Sequence, residues 1–194
     1  MSVRAGLADP VLDAQRVFRG VLDAMAHPGR IVALPPPPEP PAPLLPAAAA
    51  IALTLLDYET PVWLDARART DEVLDYLRFH CGAPVVALPR AAAFALVADG
   101  EDLPALDDFG LGTDEFPDRS TTVIVQVGVL RAGTGRRLTG PGIDGEARLE
   151  VQGVSEWLWP MLRENRTLFP RGVDVLLAAA TRVVALPRST AVGD

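Results

Sequence analysis

A chain of 194 residues, 49% hydrophobic and 22% charged, carries enough apolar material for one substantial core and falls outside the disordered class. Its net charge of −7, with Arg136-Arg137 as the only adjacent basic pair, excludes a non-specific nucleic-acid binder, which needs clustered cations. One cysteine, Cys81, excludes a disulfide scaffold; eighteen arginines and no lysine exclude a Schiff-base enzyme, a pyridoxal phosphate anchor and a Walker A loop.

The N-terminus, Met1 to Pro10, holds no apolar run of signal-peptide length, and the longest such run, Pro46–Leu56, is interrupted by Thr54. The expectation is a cytoplasmic chain without a membrane span, organised as one domain over residues 1–194.

Ala14, Val17, Phe18, Val21, Leu22 and Met25 recur at spacings of three and four and predict an amphipathic helix, with Asp13 as N-cap and His27-Pro28-Gly29 as its stop. A short strand at Ile31–Leu34 follows. Pro35–Pro46 contains eight prolines in twelve residues and cannot join a sheet ladder. It reads as a stiff Pro-rich surface loop at 35–46, the other reading being a proline-rich ligand for another domain.

Ala47–Leu56 is apolar on nearly every side, as a buried helix is. Val62-Trp63-Leu64 is a brief strand. Thr70 caps the next helix, Asp71 and Glu72 favour its first turn, and Gly82 ends it after His80. Strands are predicted at Val85–Leu88 and Ala92–Val97, a loop with one helical turn at Glu101–Ser120, and the clearest strand at Thr121–Val127. Further strands fall at Arg137–Thr139, Val173–Ala179 and Arg182–Leu186, with a helix at Ser155–Asn165. Helices on both faces of a mixed sheet are the economical packing, which makes the fold class α/β.

Few groupings carry chemistry. Gly140-Pro141-Gly142-Ile143-Asp144-Gly145 matches G-x-G-x-x-G literally. Pro141 stiffens the turn, however, and Glu146 to Glu150 would set carboxylates against a phosphate, so it reads as a structural turn. Only two histidines exist, and His80 beside Cys81 shares no metal-facing helix side with it, so no metal site is expected. Cys81 next to His80 is either a packed helix end or a reactive pair. Ser120, Ser155 and Ser189 sit in no nucleophile elbow. In Arg78-Phe79-His80, Phe79 is expected to face the core near Leu74 or Tyr76, leaving Arg78 and His80 solvated or reading an anion; Arg188 is a second anion candidate. Asp57 and Asp174 read as element ends.

The ordered set of local motifs resembles the PhnH family, subunits of the bacterial carbon–phosphorus lyase system. It opens with Asp13-Ala14-Gln15, Phe18-Arg19, Leu22, Ala24-Met25 and Pro28-Gly29. It continues through Leu53-Thr54-Leu55, Thr60-Pro61-Val62-Trp63-Leu64, Leu77-Arg78-Phe79-His80 and Ala83-Pro84, then Leu138-Thr139-Gly140-Pro141-Gly142-Ile143. It closes with Phe169-Pro170-Arg171-Gly172-Val173-Asp174 and Ala185-Leu186-Pro187-Arg188. The proline stretch and the Glu101–Pro117 loop depart from the pattern.

The resemblance implies a three-layer αβα sandwich around a mixed sheet, similar to the pyridoxal-phosphate transferase fold but without that cofactor. It implies a homodimer in isolation and a core complex with PhnG, PhnI and PhnJ subunits. That assembly moves ribose triphosphate from ATP onto a phosphonate, displacing adenine. It places the radical iron–sulfur step on PhnJ, since one cysteine cannot hold a cluster. No catalytic residue and no cofactor are expected here. Arg78, His80, Arg188, Arg19 and Gln15 are the candidates for meeting a ligand or a partner. The competing readings are a free-standing enzyme or binding protein for a phosphorylated metabolite using Arg78, His80 and Arg188, and an assembly module without a ligand.

Overall fold

A computed structural model describes residues 4–194. Among them the chain order is α1 (Leu12–Ala26), β1 (Val32–Ala33), α2 (Pro46–Leu55), β2 (Val62–Leu64), α3 (Asp71–His80), β3 (Phe94–Val97), β4 (Thr122–Gln126), β5 (Val129–Thr139), β6 (Ala147–Gln152), α4 (Leu158–Thr167), β7 (Asp174–Ala179), β8 (Arg182–Leu186) and β9 (Ala191–Val192). The fold is α/β. Six strands form a mixed sheet in the order β1-β8-β7-β4-β3-β2, in which β8 runs against both neighbours and the other pairs are parallel. A second, antiparallel sheet has the order β6-β5-β9.

The period-two geometry of strands divides the core. Leu96, Ile124, Leu176, Ala178, Val183 and Ala185 face one way, onto α1, α2 and α3. Ala95, Val97, Val123, Val125, Val175, Leu177, Val184 and Leu186 face the other, onto α4 and the inner side of the small sheet, Leu130, Leu138, Leu149 and Val192. Almost every residue of these strands is therefore buried on one face or the other, which explains their nearly unbroken apolar sequences. α2 starts with Pro46 at its first turn, and Ala47 to Ala52 are wholly buried, as an all-apolar helix requires.

Most predicted elements are present, but the Glu101–Ser120 loop holds 3-10 turns at Leu106–Asp108 and Pro117–Arg119 where one turn is expected, the short β9 is unforeseen, and four further points are corrected. First, α1 is opened by Asp9 and not by Asp13. The Asp9 carboxylate accepts from the N–H groups of Val11 and Leu12 (3.1 and 2.9 Å), while the Asp13 carboxylate reaches back to the Asp9 N–H at 3.0 Å. Second, Val85–Leu88 is no strand: Val85 makes one parallel bridge to Val62, and Pro89 then starts a 3-10 turn. Third, Arg137–Thr139 is only the end of the eleven-residue β5, whose partner β6 the sequence reading missed. Gly133 and Gly135 hid that strand; they lie in a bulge where Ala132 and Arg136 both face Leu149. Fourth, the proline stretch is more than a surface loop, because Pro37, Pro41 and Leu44 are buried.

The G-x-G-x-x-G stretch connects β5 to β6, so a strand and not a helix follows it. Gly142 has φ +82°, and a Cβ there would lie 2.1 Å from the Ala26 carbonyl oxygen. Close approach to the end of α1 demands the glycine, as a structural turn would.

Candidate functional site

α1 carries two apolar faces. Val17, Val21 and Ala24 are buried against the sheet. Phe18 and Leu22, with Val11 just before the helix, lie on a second, exposed side at 52%, 57% and 77% exposure. The three-and-four spacing assigns Phe18 and Leu22 to the core stripe, and the structure corrects this. Adjacent helical residues diverge by about 100°, so Val17 and Phe18 cannot share a face. Gln15 and Arg19 are exposed on the outer side as well, between Val11 and Leu22. The structure thus sets Gln15 within an exposed stripe at positions 11, 15, 18 and 22, whose apolar members are Val11, Phe18 and Leu22, with Arg19 one turn from Gln15 at its edge. An apolar arc wider than one face needs is the signal that could have revealed it.

Arg78 and His80 end α3 but do not act as a pair. Arg78 is exposed and bonded to Asp75 on its own helix. His80 Nε2 donates to the Arg4 carbonyl at 2.9 Å, and its ring stacks edge-on against Tyr76 and Phe79 at 4.7 and 4.9 Å. The His80 imidazole thus holds the segment Arg4–Gly6 on the helix; a Cβ on Gly6 would lie 2.9 Å from its ring. Tyr76 and Leu77 face the core, while Phe79 is exposed, contrary to the expectation for it.

Cys81 packs at the helix end, Sγ 3.7 Å from the Ala52 carbonyl. Burial first, and the neighbouring Asp57 carboxylate second, push its thiol up to about 11, which keeps it protonated and unreactive near neutral pH. Burial and then Cys81 push the Tyr76 phenol up to about 12.

Arg188 sits elsewhere and is fully engaged. Its Nε and Nη2 donate to the two oxygens of Asp174 at 3.1 and 2.6 Å, its backbone N–H donates to Asp174 at 2.9 Å, Nη1 to the Pro117 carbonyl at 2.7 Å, and Nη2 also to Ser120 Oγ at 2.5 Å. The guanidinium thereby ties the starts of β4 and β7 to the end of β8. Asp174 lies in the register row Val62, Phe94, Thr122, Asp174, three strands from the β2 end beside which α3 finishes, a separation of roughly 14 Å. The structure therefore does not join Arg188 to Arg78 and His80 in one anion site.

In open α/β sheets the carboxyl ends of parallel strands are the usual ligand crevice. Here that edge binds the chain's own backbone. The buried Asp65 carboxylate accepts from the N–H groups of Ala68, Ala98 and Asp99 at 2.7, 2.9 and 3.0 Å. The buried Gln126 amide accepts from the Leu45 N–H and donates to the Pro43 carbonyl at 3.1 Å, pinning the proline stretch over the strand ends. Neither residue stood out in the sequence, since an isolated Asp or Gln at a strand end has no distinguishing pattern. Among the described residues no group of three His, Cys, Asp or Glu side chains is placed to hold a metal ion, and no helix is long and apolar enough to cross a membrane.

These features define an α/β protein whose polar groups at the sheet ends hold its own backbone and whose α1 carries an exposed apolar stripe. The chain belongs to the PhnH family: the model of that family, described as bacterial phosphonate metabolism protein, matches residues 5–193. It is 42% identical over 188 residues to the alpha-D-ribose 1-methylphosphonate 5-triphosphate synthase subunit PhnH of Rhizobium meliloti (strain 1021), covering 94% of this chain and 92% of the relative. It is 33% identical over 176 residues to a putative C-P lyase subunit protein, HtxG, of Stutzerimonas stutzeri, covering 91% and 84%.

Proposed function

We propose that this chain is a non-catalytic subunit of the alpha-D-ribose 1-methylphosphonate 5-triphosphate synthase assembly, the carbon–phosphorus lyase core complex of phosphonate breakdown. The observation that carries the reading is the 42% identity to a synthase subunit along nearly the whole chain. In this reading the assembly transfers ribose triphosphate from ATP to the phosphonate and releases adenine. This chain works in the cytoplasm as one domain, contributes surface and not reacting groups, and meets PhnG, PhnI and PhnJ subunits.

Its architecture is a three-layer sandwich similar to pyridoxal-phosphate transferases, with one outer layer built from α4 and the small sheet. The absence of lysine fits that fold without its cofactor, since no internal aldimine can form on a side chain. The engagement of Asp65, Gln126 and Arg188 with the chain's own groups supports a structural role over the free-standing binding of a phosphorylated metabolite.

Alone, the chain forms a homodimer through the outer face of α1. The stripe at 11, 15, 18 and 22 has spacings of four, three and four. It reads the same in both directions, so an antiparallel copy sets Val11 opposite Leu22 and Gln15 opposite Phe18, the self-complementarity a two-fold interface needs. Co-expression with the other three subunits and purification through a tag on one of them tests the assembly. The reading predicts recovery of this chain in a fixed ratio; its absence from the purified complex would refute the assignment.

A further inference from the structure

On the sheet face opposite α1, α4 and the 3-10 turn Leu106–Asp108 enclose a groove of about 310 Å³. Leu106, Leu111, Met161 and Leu168 give it an apolar floor, and the carboxylates of Asp107 and Glu164 stand at its rim. Leu106 is buried, Met161 and Leu168 are half-buried, and both rim acids are exposed. Met161 and Glu164 share one face of α4 and Leu168 follows directly at its C-terminal cap, so this end of the helix presents floor and rim together. Its two arginines turn away: Arg163 reaches Asp194 at 3.7 Å, and Arg166 donates to the Ser189 carbonyl at 3.4 Å. Among the described residues neither Asp107 nor Glu164 has an ion-pair partner.

The charge around this groove is one-sided. Glu101–Asp118, which forms one wall, carries seven carboxylates and no basic residue. Among the described residues only Asp114 is paired there, with Arg171 at 3.2 Å. The remaining eighteen acidic residues equal the eighteen arginines, so the net charge of −7 resides in this one segment.

We infer that the groove receives a lysine or arginine side chain carried on an apolar segment of a partner subunit. Such a side chain lays its aliphatic stem along Leu111, Met161 and Leu168 and brings its cation to Asp107 and Glu164. An uncharged apolar segment would cover the two carboxylates without pairing them, at a desolvation cost, and an anionic ligand would be repelled. The surplus charge also steers a basic partner toward this face. The inference rests on the reading of the chain as a subunit of an assembly.

The test is the affinity of the full chain for the complex of the other three subunits, measured across a sodium chloride series. Wild type is compared with the double variant Asp107→Asn/Glu164→Gln, which keeps shape and removes charge; a melting curve confirms that the variant folds. Wild-type binding should weaken as salt rises. The variant should bind about tenfold more weakly at low salt and show a flatter salt dependence. Wild-type binding matched by the variant in affinity and salt dependence overturns this inference alone. A wild-type chain that does not bind overturns the assembly reading and this inference with it. Salt-sensitive self-association that the double variant loses would make the occupant a second copy and overturn the partner assignment.

Discussion

Arg188 and Asp174 face each other in a two-point ion pair, Nε to Oδ1 at 3.1 Å and Nη2 to Oδ2 at 2.6 Å, with both side chains about 85% buried at 13% and 15% exposure. Removing one partner leaves the other charged and unpaired, which costs about 3 kcal/mol or more at such depth. Arg188→Ala should therefore lower Tm by about 10 °C for a chain of this size. Arg188→Lys should rescue little, because an ammonium cannot reproduce the fork. Thermal melts of the two variants check this; an unchanged Tm with a lost ligand response would make Arg188 a binding residue.

The outer face of α1 gives the opposite pattern. Phe18→Glu and Leu22→Glu replace exposed residues, so stability should change by no more than about 0.5 kcal/mol. Light scattering should show the wild-type chain as a dimer and either variant as a monomer. A monomeric wild type, or variants that still dimerise, would remove α1 as the interface.

Two glycines with nearly the same φ separate conformational strain from crowding. Gly133 has φ +82° with nothing within 4 Å of a built Cβ, and Gly142 has φ +82° with the Ala26 carbonyl oxygen at 2.1 Å. Gly133→Ala should cost about 1 kcal/mol from the left-handed backbone alone. Gly142→Ala adds a steric clash with backbone and should cost ~3 kcal/mol or more. Equal destabilisation in denaturant titrations would contradict the packing of the β5–β6 turn on α1.

Alkaline pH should destabilise the chain through the end of α3. The Cys81 thiol stands at about 11 when folded against an ordinary 9.0, and the Tyr76 phenol at about 12 against 10.0. A raised folded value means the native state holds its proton more tightly. The stabilisation is complete below about pH 9 and is lost as pH rises through 9 to 12. Tm measured from pH 8 to 11 should fall, and Cys81→Ala should flatten the lower part of that fall. Parallel curves for wild type and variant would show that Cys81 is not buried as described.

The sheet's strongest strands were legible because Thr122–Gln126, Asp174–Ala179 and Arg182–Leu186 are buried on both faces and leave unbroken β-branched and apolar runs. α3 was legible from Thr70, whose Oγ1 accepts from the Val73 N–H at 3.2 Å as a cap does. The second sheet was not. β5 is broken by Gly133 and Gly135; β6 does carry the period-two alternation, Ala147, Leu149 and Val151 against Arg148, Glu150 and Gln152, a signal masked by the charges of Glu146 to Glu150. The candidate residues were legible as motif members but not by role. Sequence spacing cannot show that Arg188 closes on Asp174 or that His80 holds Arg4, because each is a contact between distant segments; spacing does separate Phe18 from Val17, but not which of the two apolar faces of α1 the sheet covers.

The central claim, a subunit that is required without turning over by itself, is tested most directly by adenine release from ATP in the presence of methylphosphonate. The purified chain alone should release none. The assembly lacking this chain should lose or divert the activity, and adding the chain back should restore it. Steady adenine release by the chain alone, scaling with its concentration and abolished by His80→Ala, would contradict the account and make the protein an enzyme in its own right.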